Sequence, residues 1–173
     1  MPTHLLVADA GPLIALAVAD VLAQTLDLYR QLWVPQAVLD ECIEHPDAPG
    51  VYSDAPGARA IRAALSGPGL HVIAQSEIAP LDPAYAQGLG SGEVAVLAYA
   101  AQHQHVVLID DRRARRIAQR LQVSVVGSGA LVLTLKAQGR VPSVAGILAV
   151  WQAHGYFVSA AVQAELLRRA GEI

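Results

Sequence analysis

The sequence predicts an α/β sandwich, with a mainly parallel central sheet, helices on both faces and further helices at the C-terminus. Three observations carry this expectation. Short strand-like runs alternate along the chain with helical stretches, the order of a parallel sheet with crossover helices. Those runs are mostly continuous and β-branched, as in strands buried on both faces, instead of alternating apolar and polar. Finally, 54% of the 173 residues are hydrophobic and only 16% charged, which suits one well-buried core and gives no signature of disorder.

In chain order, residues 5–8 form an apolar run ending in Asp9, and Gly11-Pro12 opens a helix through about Ala19. A second helical segment, about 21–31, leads to the very short strand Leu32-Trp33-Val34, closed by Pro35. Residues 36–44 read as a helix with Val38, Leu39 and Cys42 on one face and Glu41 nearby. Pro46, Pro49, Gly50 and Pro56 mark residues 45–57 as a flexible loop. A modest helix over 58–65 and a strand over 70–74 follow. GLGSGE, residues 88–93, precedes VAVLAYAAQ, a helix apolar on nearly every side and therefore central. Then come a strand over 106–109, a helix over 112–121, a strand over 123–126 and a helix through about Gln138, stopped by Gly139. Helices over 143–154 and 159–169, each with Ser at its N-cap and Gly after its end, close the chain. The expected organisation is a core over residues 1–140 and a helical extension of the same domain over 141–173.

Several function classes fall away. No apolar run reaches the roughly 18 residues of a membrane span, because Asp9, Asp20 and Asp27 interrupt the richest region. MPTHLLVADAGPL has no basic leader and carries an acid inside its apolar segment, which predicts a cytoplasmic chain with no membrane partner. Cys42 is the only cysteine, so an internal disulfide and a multi-thiolate zinc site are both impossible. The six histidines form no HExxH pair; His103 and His105 flank a turn. GLGSGE lacks the Lys-Ser/Thr of a nucleotide P-loop and follows a loop, so Gly90 and Gly92 serve to enter the helix tightly and place Glu93.

The acids form one constellation. Asp9 ends the first strand, and Asp110 with Asp111 ends the run VVLIDD. In a parallel sheet these ends lie on the edge where ligands bind. Glu93 opens the central helix and Glu41 sits on the helix after the second strand. Two such charges about 5 Å apart repel by roughly 3 kcal/mol at an effective dielectric near 20. Several pairs exceed what a marginally stable domain absorbs, so either protons or a cation must join them. With oxygen donors alone, that cation is Mg²⁺ or Mn²⁺, and the chemistry it supports is phosphodiester hydrolysis. Each acid also has a plainer reading: Asp9 as a helix N-cap, Glu93 as complement to a helix dipole, Glu41 as a solvated side chain, and the Asp pair as one cap plus a solvated neighbour.

Arg112, Arg113, Arg115, Arg116 and Arg120 are the densest positive charge in the chain, and Arg112, Arg116 and Arg120 share a helix face. The first four are candidates for holding a phosphate backbone; the alternative is a solvated or acid-paired helix side. Net charge is −3, yet if Asp9, Glu41, Glu93, Asp110 and Asp111 face a metal, ten acids remain against twelve basic residues. A receiver-like phosphoacceptor domain fits poorly. Its Asp pair should follow the first strand, and the single lysine here, Lys136, lies inside a helix.

DAGPLIAL, VPQAVLDE, LGSGEVAVLAYA, and VVLIDDRRARRIAQRL with VVGSGALVLTLKAQG together resemble the PIN-domain superfamily, over about residues 5–139. The best likeness is to a PIN-like branch with LGxGE and DDxxxR motifs, found in prokaryotic toxin-antitoxin settings. The resemblance implies a three-layer α/β/α fold and a metal-dependent endoribonuclease, often homodimeric and held inactive by a small antitoxin protein. It places Asp9, Glu41, Glu93 and Asp111 as the four catalytic acids. One Mg²⁺ or Mn²⁺ would be held by Asp9, Glu93 and Asp111, with Glu41 and Asp110 completing or tuning the site. Many members carry Thr or Ser two residues before the fourth acid; here Ile109 stands there, without a hydroxyl, which leaves Asp110 and Asp111 as rivals. A catalytically silent PIN-like interaction or regulatory module is the alternative.

Overall fold

The structure is a computed structural model that describes residues 5–173. Its central strand is the first, β1 (Leu6–Ala8), every residue of which is fully buried. β1 pairs in parallel with β2 (Leu32–Pro35), Leu6 facing Leu32, and with β6 (Val106–Leu108), Leu6 facing Val106. β5 (Leu70–Ile73) extends the β2 side and β7 (Val125–Val126) the β6 side, both parallel. The order is therefore β5-β2-β1-β6-β7. Burial on both faces explains why these strands read as unbroken apolar runs.

This order contains one reversal. From β1 the chain moves outward through β2 and β5, then returns to the other side of β1 for β6 and β7. The crevice at the carboxyl ends of β1 and β6 is thus a topological switch point, the place where open parallel sheets bind ligands. The chain leaves β1 into Asp9 and β6 through Ile109 into Asp110 and Asp111.

The helices are α1 (Ala10–Val18), α2 (Leu22–Tyr29), α3 (Gln36–Ile43), α4 (Pro56–Ala64), α5 (Pro83–Ala86), α6 (Ser91–His103), α7 (Arg112–Arg120), α8 (Ser128–Ala137), α9 (Val144–Ala153) and α10 (Ala160–Ala170). In α6, residues 95–100 are all buried, as its all-round apolar sequence requires. The C-terminal helices close onto the rest of the chain: fully buried Trp151 of α9 donates its indole N–H to the Ala15 carbonyl of α1 at 2.8 Å. Glu172, just past α10, accepts from the Val144 and Ala145 amides and the Ser143 hydroxyl at the start of α9.

Residues 45–57 are not the flexible loop their prolines and glycines predict. They contain most of an antiparallel hairpin, β3 (Glu44–His45) with β4 (Ala48–Tyr52), separate from the main sheet, and the start of α4 at Pro56. A two-stranded ribbon tolerates Pro49 because it has no second neighbour needing that amide. Local acceptors replace further strands: Glu44 Oε2 takes the Gly50 N–H at 3.0 Å, and His45 Nδ1 the Asp47 N–H at 3.2 Å. Two short elements between β5 and α6 also escaped the sequence pattern, a 3₁₀ turn at Gln75–Glu77 and α5, capped by the Asp82 carboxylate on the Ala84 N–H. No single helix among the described residues is long and apolar enough to cross a membrane.

Candidate active site

Asp9 occupies the N-cap position of α1, but its side chain caps nothing. It is only 8% exposed. Burial pushes its carboxyl up to about 6; the Ala10 amide opposes this, while the Glu93, Glu41 and Asp111 carboxylates add to it. Glu41 on α3 is likewise raised, first by partial desolvation and then by Glu93. Gly92, in the first turn of α6, brings these groups close. A Cβ there would meet Glu41 Oε2 at 3.1 Å and Asp9 Oδ1 at 3.9 Å. Glu93 Oε2 accepts the Gly90 N–H at 2.9 Å, and Asp111 Oδ1 caps α7 on the Ala114 N–H at 2.8 Å. Four acids from four elements therefore share one electrostatic neighbourhood, two of them also serving their helices.

Asp110 is situated differently. Its Oδ1 accepts the Ser128 N–H at 2.8 Å, and its Oδ2 accepts the Ser128 hydroxyl at 2.6 Å and the Tyr156 hydroxyl. Ser128 opens α8 immediately after β7, on the same sheet edge, and Tyr156 comes from the turn between α9 and α10. The Tyr156 ring lies 3.9 Å from the point a Cβ on Gly11 would occupy, next to Asp9. The hydroxyl missing at Ile109 is thus matched by two hydroxyls from distant chain, both spent on Asp110. Burial, then the Asp110 charge, raise the Tyr156 phenol.

Arg112, Arg113, Arg115 and Arg116 are all exposed, and among the described residues none makes an ion pair; the ion pairs there are Lys136–Glu172, Arg140–Asp27 and Arg168–Glu165. Arg113 lays its guanidinium against Gly88, and Arg120 stacks over Tyr85 at 4.8 Å. Arg115 reaches Gly127, where a Cβ would lie 3.6 Å from its Nη atoms and 3.1 Å from Asp110 Oδ1. Among the described residues, Arg112 and Arg116 make no ion pair and no stacking contact of this kind.

A family model for the PIN domain matches residues 5–172. The chain belongs to the PIN-domain family. The match runs through both C-terminal helices, which the motif resemblance had left beyond its reach. No curated protein matches the sequence. Among solved structures, a PilT N-terminus domain protein from the hyperthermophilic archaeon Sulfolobus solfataricus is similar over 75% of this chain and 92% of its own, at 14% identity and a TM-score of 0.48. PIN domains are generally nucleases and typically use divalent metal ions.

The donor chemistry of this PIN domain fits such an ion. All nearby donors are oxygens, as Mg²⁺ and Mn²⁺ prefer. Asp9 and Glu41 are raised first by burial, and the carboxylates beside them add to the shift, so a cation there would relieve their crowding. Among the described residues, however, no three His, Cys, Asp or Glu side chains already enclose an ion, so binding requires the acids to close around it. Cys42 is no ligand candidate: burial, Glu41 and Asp9 all push its thiol up. A cavity of about 630 Å³ lies elsewhere, around Ala17, Leu26 and Arg30. Asp111 and Glu41 sit exposed at an open sheet edge, which suits a polymer better than an enclosed small molecule. Ser128 stood in the sequence at a strand end and was findable by the same reasoning as Asp9. Tyr156 was not, being 46 residues from Asp110 in a turn without a motif.

Proposed function

We propose that the protein is a divalent-cation-dependent endoribonuclease, hydrolysing RNA phosphodiester bonds in the cytoplasm as the toxin-like component of a prokaryotic toxin-antitoxin pair. One observation carries the hydrolytic part: in a PIN domain, Asp9, Glu41, Glu93 and Asp111 converge from four elements on the switch point, and buried Asp9 has only the Ala10 amide to set against three neighbouring carboxylates. The toxin-like role, the small antitoxin partner and a homodimer rest on the LGxGE and DDxxxR motif likeness.

Asp9, Glu93 and Asp111 would hold the Mg²⁺ or Mn²⁺, with Glu41 beside them. Asp110, whose oxygens accept from Ser128 and Tyr156, would complete or tune the site from beside that ligand set. Bound there, the cation supplies Lewis-acid polarisation of a phosphodiester and lowers the pKa of water. The chain's own part is to orient the strand and manage protons. Arg112 and Arg116, which pair with no acid among the described residues, suit the phosphates on either side of the cleaved bond. Asp9, at about 6, exchanges a proton near neutral pH when no cation is present. Asp9→Asn should remove cleavage of a mixed RNA pool while circular dichroism shows the fold retained; an unchanged cleavage rate would defeat the assignment.

A catalytically silent interaction module is the second reading. The observation favouring it is that no three acids among the described residues stand ready around an ion. Cation binding without cleavage at matched purity would select it.

A further inference from the structure

Asp110 and Asp111 are neighbours in the chain with opposite surroundings. Asp111 Oδ1 caps α7 on the Ala114 N–H, and among the described residues no hydrogen bond occupies its Oδ2. Asp110 carries three donors on its two oxygens: the Ser128 N–H at 2.8 Å, the Ser128 hydroxyl at 2.6 Å and the Tyr156 hydroxyl. A carboxylate offers about four acceptor positions, so most of the capacity of Asp110 is already used. The Ser128 and Tyr156 hydroxyls also lie 3.5 Å from one another, which makes the three side chains one cluster.

Ser128 and Tyr156 reach this cluster by different routes. Ser128 follows β7 on the same sheet edge, whereas Tyr156 is delivered by the turn between α9 and α10. Its ring is seated without help from its hydroxyl. Gly155 turns the chain with a φ of +76°, the Tyr156 N–H donates to the Trp151 carbonyl at 2.9 Å, and the two rings pack 5.3 Å apart between centroids. Trp151 is in turn tied to α1 through the Ala15 carbonyl, and the Tyr156 ring lies beside Gly11, two residues past Asp9. Packing therefore asks for a ring at this position and not for a phenol; the polar tip serves Asp110.

We infer that Tyr156 is a positioning residue of the carboxylate site: by holding Asp110, its hydroxyl keeps the chain after β6 in the place that offers Asp111 to the cation. This rests on the cation-dependent reading above and adds to it the residue that decides between two adjacent acids. It also gives the C-terminal extension a part in the site. With the hydroxyl gone, Asp110 Oδ2 keeps only the Ser128 hydroxyl, and Asp110 can leave its seat and compete with Asp111 for the same ion. Removing an outer hydrogen-bond partner of a metal site typically costs about ten- to a hundredfold in metal affinity.

The test is calorimetric titration of Mn²⁺ into the full chain as wild type, Tyr156→Phe, Asp110→Ala and the double variant, with circular dichroism and cleavage of a mixed RNA pool measured on the same samples. Tyr156→Phe should weaken Mn²⁺ binding about ten- to a hundredfold while remaining folded, because the ring and its packing are kept. In the Asp110→Ala background the same substitution should change Mn²⁺ affinity by less than about twofold, since a residue that acts only through Asp110 has nothing left to act on. An unchanged affinity in Tyr156→Phe, or an equal loss in both backgrounds, would overturn the proposal. So would an affinity loss that accompanies loss of the folded signal, which would make the contact structural, and so would complete loss of binding in Asp110→Ala, which would make Asp110 itself the principal ligand. If wild type binds no Mn²⁺, the cation reading fails and this inference with it. If wild type binds without cleaving, the nuclease reading fails and the affinity comparison still decides this one; if wild type binds and cleaves and Tyr156→Phe matches it, this inference alone fails.

Discussion

Two aspartates at one sheet edge show how local donors divide the work of a site. Asp110 receives an amide and two hydroxyls, whereas Asp9, more deeply buried, has only the Ala10 amide against three neighbouring carboxylates. The folded protein without cation therefore binds a proton at Asp9 more tightly than the unfolded chain, about 6 against 3.8. Asp9 then favours folding most below pH 4, and that contribution disappears as pH rises through about 6. Asp9→Asn should accordingly stabilise the chelator-treated protein at pH 8 by roughly 1–3 kcal/mol and by little at pH 4, read from urea unfolding at both pH values. An equal difference at both would contradict it. Gly92 gives a second prediction. Alanine in the first turn of α6 gains up to about 1 kcal/mol of helix propensity, but its Cβ meets Glu41 Oε2 and Val38 Cγ2 at 3.1 Å. Gly92→Ala should leave the melting temperature within a few degrees of wild type and weaken Mn²⁺ binding at least several-fold by displacing Glu41. Unaltered Mn²⁺ affinity would show that Glu41 does not face the ion.

Elements differ in how plainly the chain announces them. α6 was legible because an all-round apolar stretch after GLGSGE has few places to go except the core. The β3–β4 hairpin was hidden, since Pro49 and Gly50 inside β4 are loop signals by composition, and side-chain acceptors on Glu44 and His45 supply what strand propensity does not. α7 presents its arginines unequally: Arg113 and Arg120 lean on Gly88 and Tyr85, whereas Arg112 and Arg116, on one face, have no ion-pair partner among the described residues. Each phosphate contact on single-stranded nucleic acid contributes about 0.7 to the slope of log affinity against log salt. Arg112→Gln with Arg116→Gln should then lower that slope by about 1.4, measured by fluorescence anisotropy with the Asp9→Asn background preventing cleavage; an unaltered slope would remove both from the interface. At the other end, Glu172 is pulled down to about 2, first by the Ala145 and Val144 amides. Its contribution is fully present above about pH 4.5 and lost as pH falls through about 2. Glu172→Gln should lower the melting temperature at pH 7, with the gap to wild type closing as pH approaches 2; a gap that is constant with pH would mean the clasp is not ionic.

At the scale of the whole molecule, the fold was legible because strand-helix alternation and continuous β-branched runs leave few alternatives to a parallel sheet. Much of the candidate site was legible for a related reason: acids at strand ends in such a sheet lie on one edge wherever they fall in sequence. The strand order β5-β2-β1-β6-β7 then sets β1 and β6 side by side at the switch point, which no local pattern states. Contacts made by the C-terminal extension were not legible either, because Tyr156 reaches Asp110, and Trp151 reaches Ala15, only through tertiary packing. The central claim is that this edge gathers a catalytic divalent cation. Its most direct test is calorimetric titration of Mn²⁺ into wild type and Asp9→Asn, with cleavage of a mixed RNA pool assayed on the same samples. The account predicts that wild type binds and cleaves and that the variant does neither while remaining folded; a variant that binds Mn²⁺ as tightly as wild type, or cleaves as fast, would contradict it.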